Sequence, residues 1–285
     1  MDRRAFLVGA GGAAGALAGC TTLAALGDGR VAERDLPERP AEPTPEAVAA
    51  YVADYEAART HNHHAREGAA EVTVDAVATF DHRSGGDHFA TAQHAGTVYY
   101  EDDGSRSVGE LYGHPVPYLV APDRTLRLPV DRRRVDGEAS DRSPDETTSP
   151  PLGVRLCNVT DEPHELAVTV VRERVGSEAG DPTDGDDPDD ADDPNGDPDD
   201  EISDGEDARV LSTAVGVDPK RAVELLDITD GRGSYRVTAS MEDDGVTGQG
   251  RIEVEIPGAD RGANVDVVIE SAGVSTWHLP SFEYI

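Results

Sequence analysis

Lysine is almost absent from this chain: Lys220 stands alone beside 24 arginines, against 58 acidic residues, and the formal net charge is −33. A chain so acidic carries no basic stripe to meet phosphates, which argues against nucleic acid as a partner. The same scarcity removes the phosphate loop, because its Gly-Lys-Ser/Thr has no counterpart where Lys220 follows Pro219. Cysteine is nearly absent too, with only Cys20 and Cys157. If Cys20 is used otherwise, Cys157 has no partner for an internal disulfide, and packed cores must hold the fold. Cys157 lies in an apolar strand and reads as a small buried hydrophobe. Beyond the first 26 residues there is no run of 18 apolar residues, so nothing later in the chain reads as a membrane span. No Gly-x-Ser-x-Gly elbow occurs. His164-Glu165-Leu166-Ala167-Val168 opens like a zinc-protease motif but has Val where the second His belongs. These absences point to a non-catalytic protein without a cofactor.

What is present begins with an address. Arg3 and Arg4 precede Phe6 and Leu7, a Gly/Ala-rich apolar run follows, and Leu17-Ala18-Gly19-Cys20 closes the stretch. The paired arginines resemble a twin-arginine signal, read by a translocase that exports folded proteins. Leu17, Ala18, Gly19 and Cys20 resemble a lipobox, in which the cysteine is acylated and becomes the mature N-terminus. The resemblance implies a protein tethered by lipid to the outer face of the cell membrane, with the translocase as its partner during export. The alternative is an uncleaved anchor, since residues 5–26 carry no charge; their Gly and Ala content suits a cleaved signal better. The acidic, lysine-poor composition resembles that of haloarchaeal proteins. At about 1 M salt the Debye length shrinks to about 3 Å, so dense carboxylates repel weakly and keep the surface hydrated. The charge is thus an adaptation to solvent, and the chain is similar to haloarchaeal twin-arginine-exported lipoproteins.

The remainder reads as two domains. Residues 21–43, rich in Pro, Ala, Arg and Glu and without periodicity, are expected to be a disordered tether. An α+β domain is expected over 44–135. Thr44-Pro45-Glu46 opens its helix as N-cap, first-turn Pro and first-turn acid. Val48, Tyr51, Val52 and Tyr55 form the stripe, and Gly68 can end it. Alternation from Val72 to Phe80 and a turn at Arg83-Ser84-Gly85-Gly86-Asp87 then predict an antiparallel meander under the helix. The layout is loosely similar to cystatin-like and NTF2-like folds. Residues 136–151 read as a linker. From 152 to 285 about eight short strands with turn chemistry predict an all-β sandwich, and Asp230-Gly231-Arg232-Gly233-Ser234-Tyr235 resembles the corner at which immunoglobulin-like domains pin a tyrosine to backbone. Inside this domain residues 177–208 hold 16 acids and no base, and are expected to be a disordered loop between neighbouring strands. Each calcium-type spacing within it lacks one ligand.

Seven of the nine histidines fall between His61 and His114. His61 and His64, three apart on the helix, and His82 and His88, flanking the turn, are the set a zinc or copper ion could use if helix end and hairpin met. The blue-copper alternative fails, because Cys157, His164 and Met241 lack the close late spacing of such a site. Asn158-Val159-Thr160 is an N-glycosylation sequon. The functional expectation is a lipid-anchored surface module of a halophile that binds or supports a partner the sequence does not name. The alternative is an extracellular metal- or solute-binding lipoprotein using the histidine-rich domain.

Overall fold

A computed structural model describes residues 30–135, 151–173, 208–229, 231–243, 246–256 and 264–280. The signal and lipobox, residues 136–150 of the linker and residues 177–207 of the acidic loop lie outside them.

One helix, α1 (Pro45–Arg66), is followed by fourteen strands among the described residues. The Thr44 hydroxyl caps the helix by accepting from the Ala47 amide at 3.2 Å. Gly68 closes it in the left-handed region at φ +84°. The stripe Val48, Tyr51, Val52 lies buried on the first sheet, together with Ala90, Ala92, Val116, Tyr118 and Val120. Each valine among them contributes about 1.5–3 kcal/mol by leaving water.

The first sheet is antiparallel. It runs β1 (Glu71–Ser84), β2 (Asp87–Asp102), β4 (Val116–Val120), β5 (Thr125–Arg127), while β3 (Ser105–Tyr112) pairs with the far half of β2. Two further sheets form a sandwich. One is ordered β14 (Gly273–His278), β13 (Val265–Glu270), β7 (Leu152–Asn158), β10 (Arg221–Thr229), β6 (Val130–Arg134). The other is ordered β12 (Val246–Ile256), β11 (Gly233–Asp243), β8 (His164–Glu173), β9 (Ala208–Val217). Their facing sides share a core of Val, Leu, Ile, Tyr235 and Met241. The α+β arrangement followed by a β-sandwich is therefore present.

The side-chain alternation of a strand reveals how the parts stack. In β7, Leu152, Val154 and Leu156 enter the sandwich core, while Arg155 and Cys157 point the other way. In β13, Val265, Val267 and Ile269 point inward, while Asp266 and Val268 point out. That outer face does not meet water. It packs on Phe89, Leu119, Ala121 and Leu128 of the first unit, forming a third core with Cys157, Val159, Ala222 and Val268. The molecule is a four-layer stack of helix, sheet, sheet and sheet, and the middle of the first sheet, β4 with the first half of β2, is covered on both faces. Every residue from His88 to Gln93 in β2, and all of β4, is accordingly buried.

Three expectations need correction. The boundary at residue 135 is too late, because β6 belongs to the second sheet, where it runs parallel to β10 from Val130↔Ala222 to Arg134↔Leu226. Residues 30–43 are no free tether but a strap laid along the helix. Asn62 binds it as a backbone would: the Arg34 amide donates to Oδ1 at 2.7 Å, and Nδ2 donates to the Arg34 carbonyl at 2.8 Å. The Val31 amide donates to the Ala69 carbonyl at 2.8 Å, and Arg66 pairs with Glu33 at 2.9 Å. Asn158 is fully buried, and the nitrogen a glycan would need donates to the Glu162 and Val217 carbonyls at 2.7 and 3.1 Å. In the folded protein the sequon is structural.

Candidate functional site

Polar chemistry gathers in three places, each involving the first unit. The first lies under the helix. Val48, Val52, Glu56 and Thr60 follow one another at four-residue intervals, so the helix face that begins apolar continues into a carboxylate. Glu56 is fully buried. Its Oε1 accepts from His94 Nδ1 at 2.9 Å and from Arg127 at 3.3 Å. Its Oε2 accepts from the Tyr118 hydroxyl and from Arg127 Nε at 3.1 Å. Burial alone would raise its pKa, but the His94 bond, the Arg127 charge and the Tyr118 hydroxyl together hold it at about 2. Burial and then the Glu56 charge push the Tyr118 phenol far up, so it remains a donor. His94 is held from behind by Gly113, where any Cβ would lie 2.4 Å from the imidazole ring. With four donors on its two oxygens, the Glu56 carboxylate fastens helix to sheet.

The second gathering joins the two units. Arg155 donates to Asp266 through Nε and Nη2 at 3.0 and 2.9 Å, to Asp81 at 2.8 Å and to the Thr91 hydroxyl at 2.7 Å. His82 Nε2 bonds Asp266 at 2.8 Å, and its ring is stacked between Phe89 and Trp277 at centroid distances of 4.6 and 4.9 Å. Burial pushes the Asp81 carboxyl above its ordinary range against the pull of Arg155. Asp266 is equally buried, yet Arg155 and the His82 hydrogen bond hold it well below that range. Cys157 Sγ points at Asp266 Oδ1 at 3.4 Å, and burial followed by the Asp266 charge drives its thiol far up. A thiol that stays protonated is no nucleophile. Asp81, His82 and Thr91 come from the first sheet, Arg155 and Asp266 from the sandwich, so this network is an inter-unit clamp.

The third is the surface around the helix. At one end a cleft of about 840 Å³ opens between the strap and the sheet, lined by Pro37, Pro40 and Pro43 with Tyr51, Tyr55 and His88. That is the volume range of small-molecule sites. At the other end His63, His64 and Glu67 bring one donor atom each to within 4.8 Å of one another.

The expected histidine quartet is not assembled. His61 is buried under the strap, where Nε2 donates to the Ala32 carbonyl at 3.1 Å and burial lowers its pKa. His64 turns instead to Tyr100, at 2.9 Å. His82 is consumed by Asp266, and His88 lines the cleft. Nor do His82 and His88 face each other, since a register shift between Phe80 and His82 sets His82 opposite Phe89 and His88 opposite Arg83. Sequence reasoning passed over Glu56, Glu67, Asp81 and Asp266 as four acids among 58. The four-residue spacing of Glu56 from Val52 was the one signal available.

No family model, curated protein or solved structure matches this chain.

Proposed function

We propose that the chain is a lipid-anchored surface protein of a salt-adapted cell, holding a rigid, non-catalytic two-unit head outside the membrane for a partner to bind. The observation that carries the reading is the docked strap together with the address before it. The strap's first backbone bond to the helix end is made by Val31, eleven residues after Cys20 in the sequence. Eleven residues span at most about 40 Å, so an acyl anchor on Cys20 would keep the head close to the lipid surface. The clamp around Arg155 then makes the two units move together. The cleft beside the strap is a concave face such a head presents.

The sandwich reads best as immunoglobulin-like. The order β12-β11-β8-β9 matches a four-strand G-F-C-C′ sheet, and the antiparallel β7–β10 pair stands where strands B and E pair. The Tyr235 hydroxyl donates to the Gly231 carbonyl at 2.8 Å, the bond of a tyrosine corner. The flanking strands differ: β6 and β13 lie beside β10 and β7 in parallel, and β14 forms the edge beyond β13.

Expression of a Cys20→Ala variant tests the anchor. The variant is expected in the medium, or with its signal uncleaved. Unchanged mature size with unchanged membrane retention refutes the lipobox.

A further inference from the structure

We propose that His63, His64 and Glu67 form a binding site for one divalent first-row transition ion, of the zinc, nickel or copper kind, at the C-terminal end of α1. The site differs from the histidine set suggested by sequence, sharing only His64, and it holds wherever the protein is anchored.

The geometry comes from the way the helix ends. Gly68 turns the chain, and the Gly68 and Ala69 amides return to the carbonyls of Ala65 and His64 at 3.0 Å each. That closure leaves Glu67 on the last turn, beside both rings. His63 Nε2 lies 3.4 Å from Glu67 Oε1, and His64 Nδ1 lies 3.2 Å from Glu67 Oε2. Two donors that each sit about 2.1 Å from a tetrahedral ion stand about 3.4 Å apart; each ring already stands near that spacing from its own oxygen of the carboxylate, and all three residues offer a donor within 4.8 Å of the others. His63 is 58 % exposed, free to swing the third donor pair together.

The chemistry agrees. Two imidazoles and a carboxylate select borderline divalent ions over magnesium or calcium, which take oxygen donors. Three protein ligands leave at least one coordination position to water. The C-terminal end of a helix carries partial negative charge and favours a cation. Tyr100 supplies support: its hydroxyl donates to Glu67 Oε2 at 3.1 Å, while its 2.9 Å contact with His64 Nδ1 is given up when that nitrogen takes the ion. It is a positioning residue for Glu67, orienting that ligand as supporting hydrogen bonds do at metal sites. The nearby cation Arg66 is turned away to Glu33.

The test is a titration of the purified full chain with Ni²⁺ and Cu²⁺ in concentrated NaCl, which displaces ions held loosely by the carboxylates. One equivalent is expected to bind, with nitrogen ligands in the Cu²⁺ paramagnetic resonance spectrum. Tyr100→Phe is expected to weaken binding about tenfold, and His63→Ala or His64→Ala to weaken it further. His114→Ala, an exposed histidine outside the cluster, leaves it unchanged. Circular dichroism checks folding, and the exposure of His63 keeps that variant native-like. Absence of a bound equivalent, a spectrum with oxygen ligands only, or affinity unaltered in folded His63→Ala overturns the site.

Discussion

Replacing Glu56 by glutamine removes one charge from beneath the helix while keeping shape and volume. The wild-type carboxylate accepts from His94, Tyr118 and both Arg127 nitrogens. A glutamine amide group would face one set of these donors with a donor of its own, and Arg127 would lose its counter-charge. A carboxyl whose pKa falls from 4.5 to about 2 on folding ties roughly 3 kcal/mol of stability to its ionised form. Breaking a buried ion pair carries a cost of the same order, about 3–5 kcal/mol. Because the folded pKa lies below the unfolded one, the contribution is complete above pH 4.5 and is lost as pH falls through about 2. Urea unfolding at constant high salt, followed by circular dichroism from neutral pH down to about pH 2, reads the gap between wild type and Glu56→Gln. The expected result is a gap of roughly 3 kcal/mol at neutral pH that narrows once pH drops below 4.5. Coincident curves at neutral pH, or a gap that stays constant into acid, would refute the account.

Two further outcomes follow from the clamp and the strap. Arg155→Met leaves Asp81 and Asp266 buried without their cation and is expected to cost about 3–5 kcal/mol in urea unfolding. Adding Asp81→Asn and Asp266→Asn should recover much of that loss; no recovery would show that packing, not charge, joins the units. Asn62→Ala removes both hydrogen bonds that hold the strap at Arg34, a loss of about 1–3 kcal/mol at that contact. Amide exchange at Arg34 and protease cutting within 30–43 should both accelerate, with the global unfolding midpoint moving far less.

The elements of this fold were written locally. Thr44, Pro45 and Gly68 marked the helix ends, and the alternation from Val72 onward marked the meander. Tyr235 marked its corner through a bond only four residues long. What stayed hidden depends on distant partners. Asn62 meets the strap across 28 positions, and His82 meets Asp266 across 184. Neither leaves a periodic trace. The second covered face of the first sheet was recorded only as an unbroken buried run in Val116–Val120, which in sequence reads like any short apolar strand. Glu56 and Glu67 were camouflaged by composition, for a surface crowded with acids hides the few that matter.

Strand β6 carries a consequence for how the molecule comes into being. It is made before the linker, yet its partner β10 leaves the ribosome some ninety residues later, and β13, which completes the sheet around Asp266, later still. The first unit therefore cannot finish on its own during synthesis; its buried Asp81, like the strand β6 that follows it, waits for chain not yet made. Folding closes late and all together. A protein cut once between residues 136 and 150 should accordingly survive as two pieces in a tight non-covalent complex.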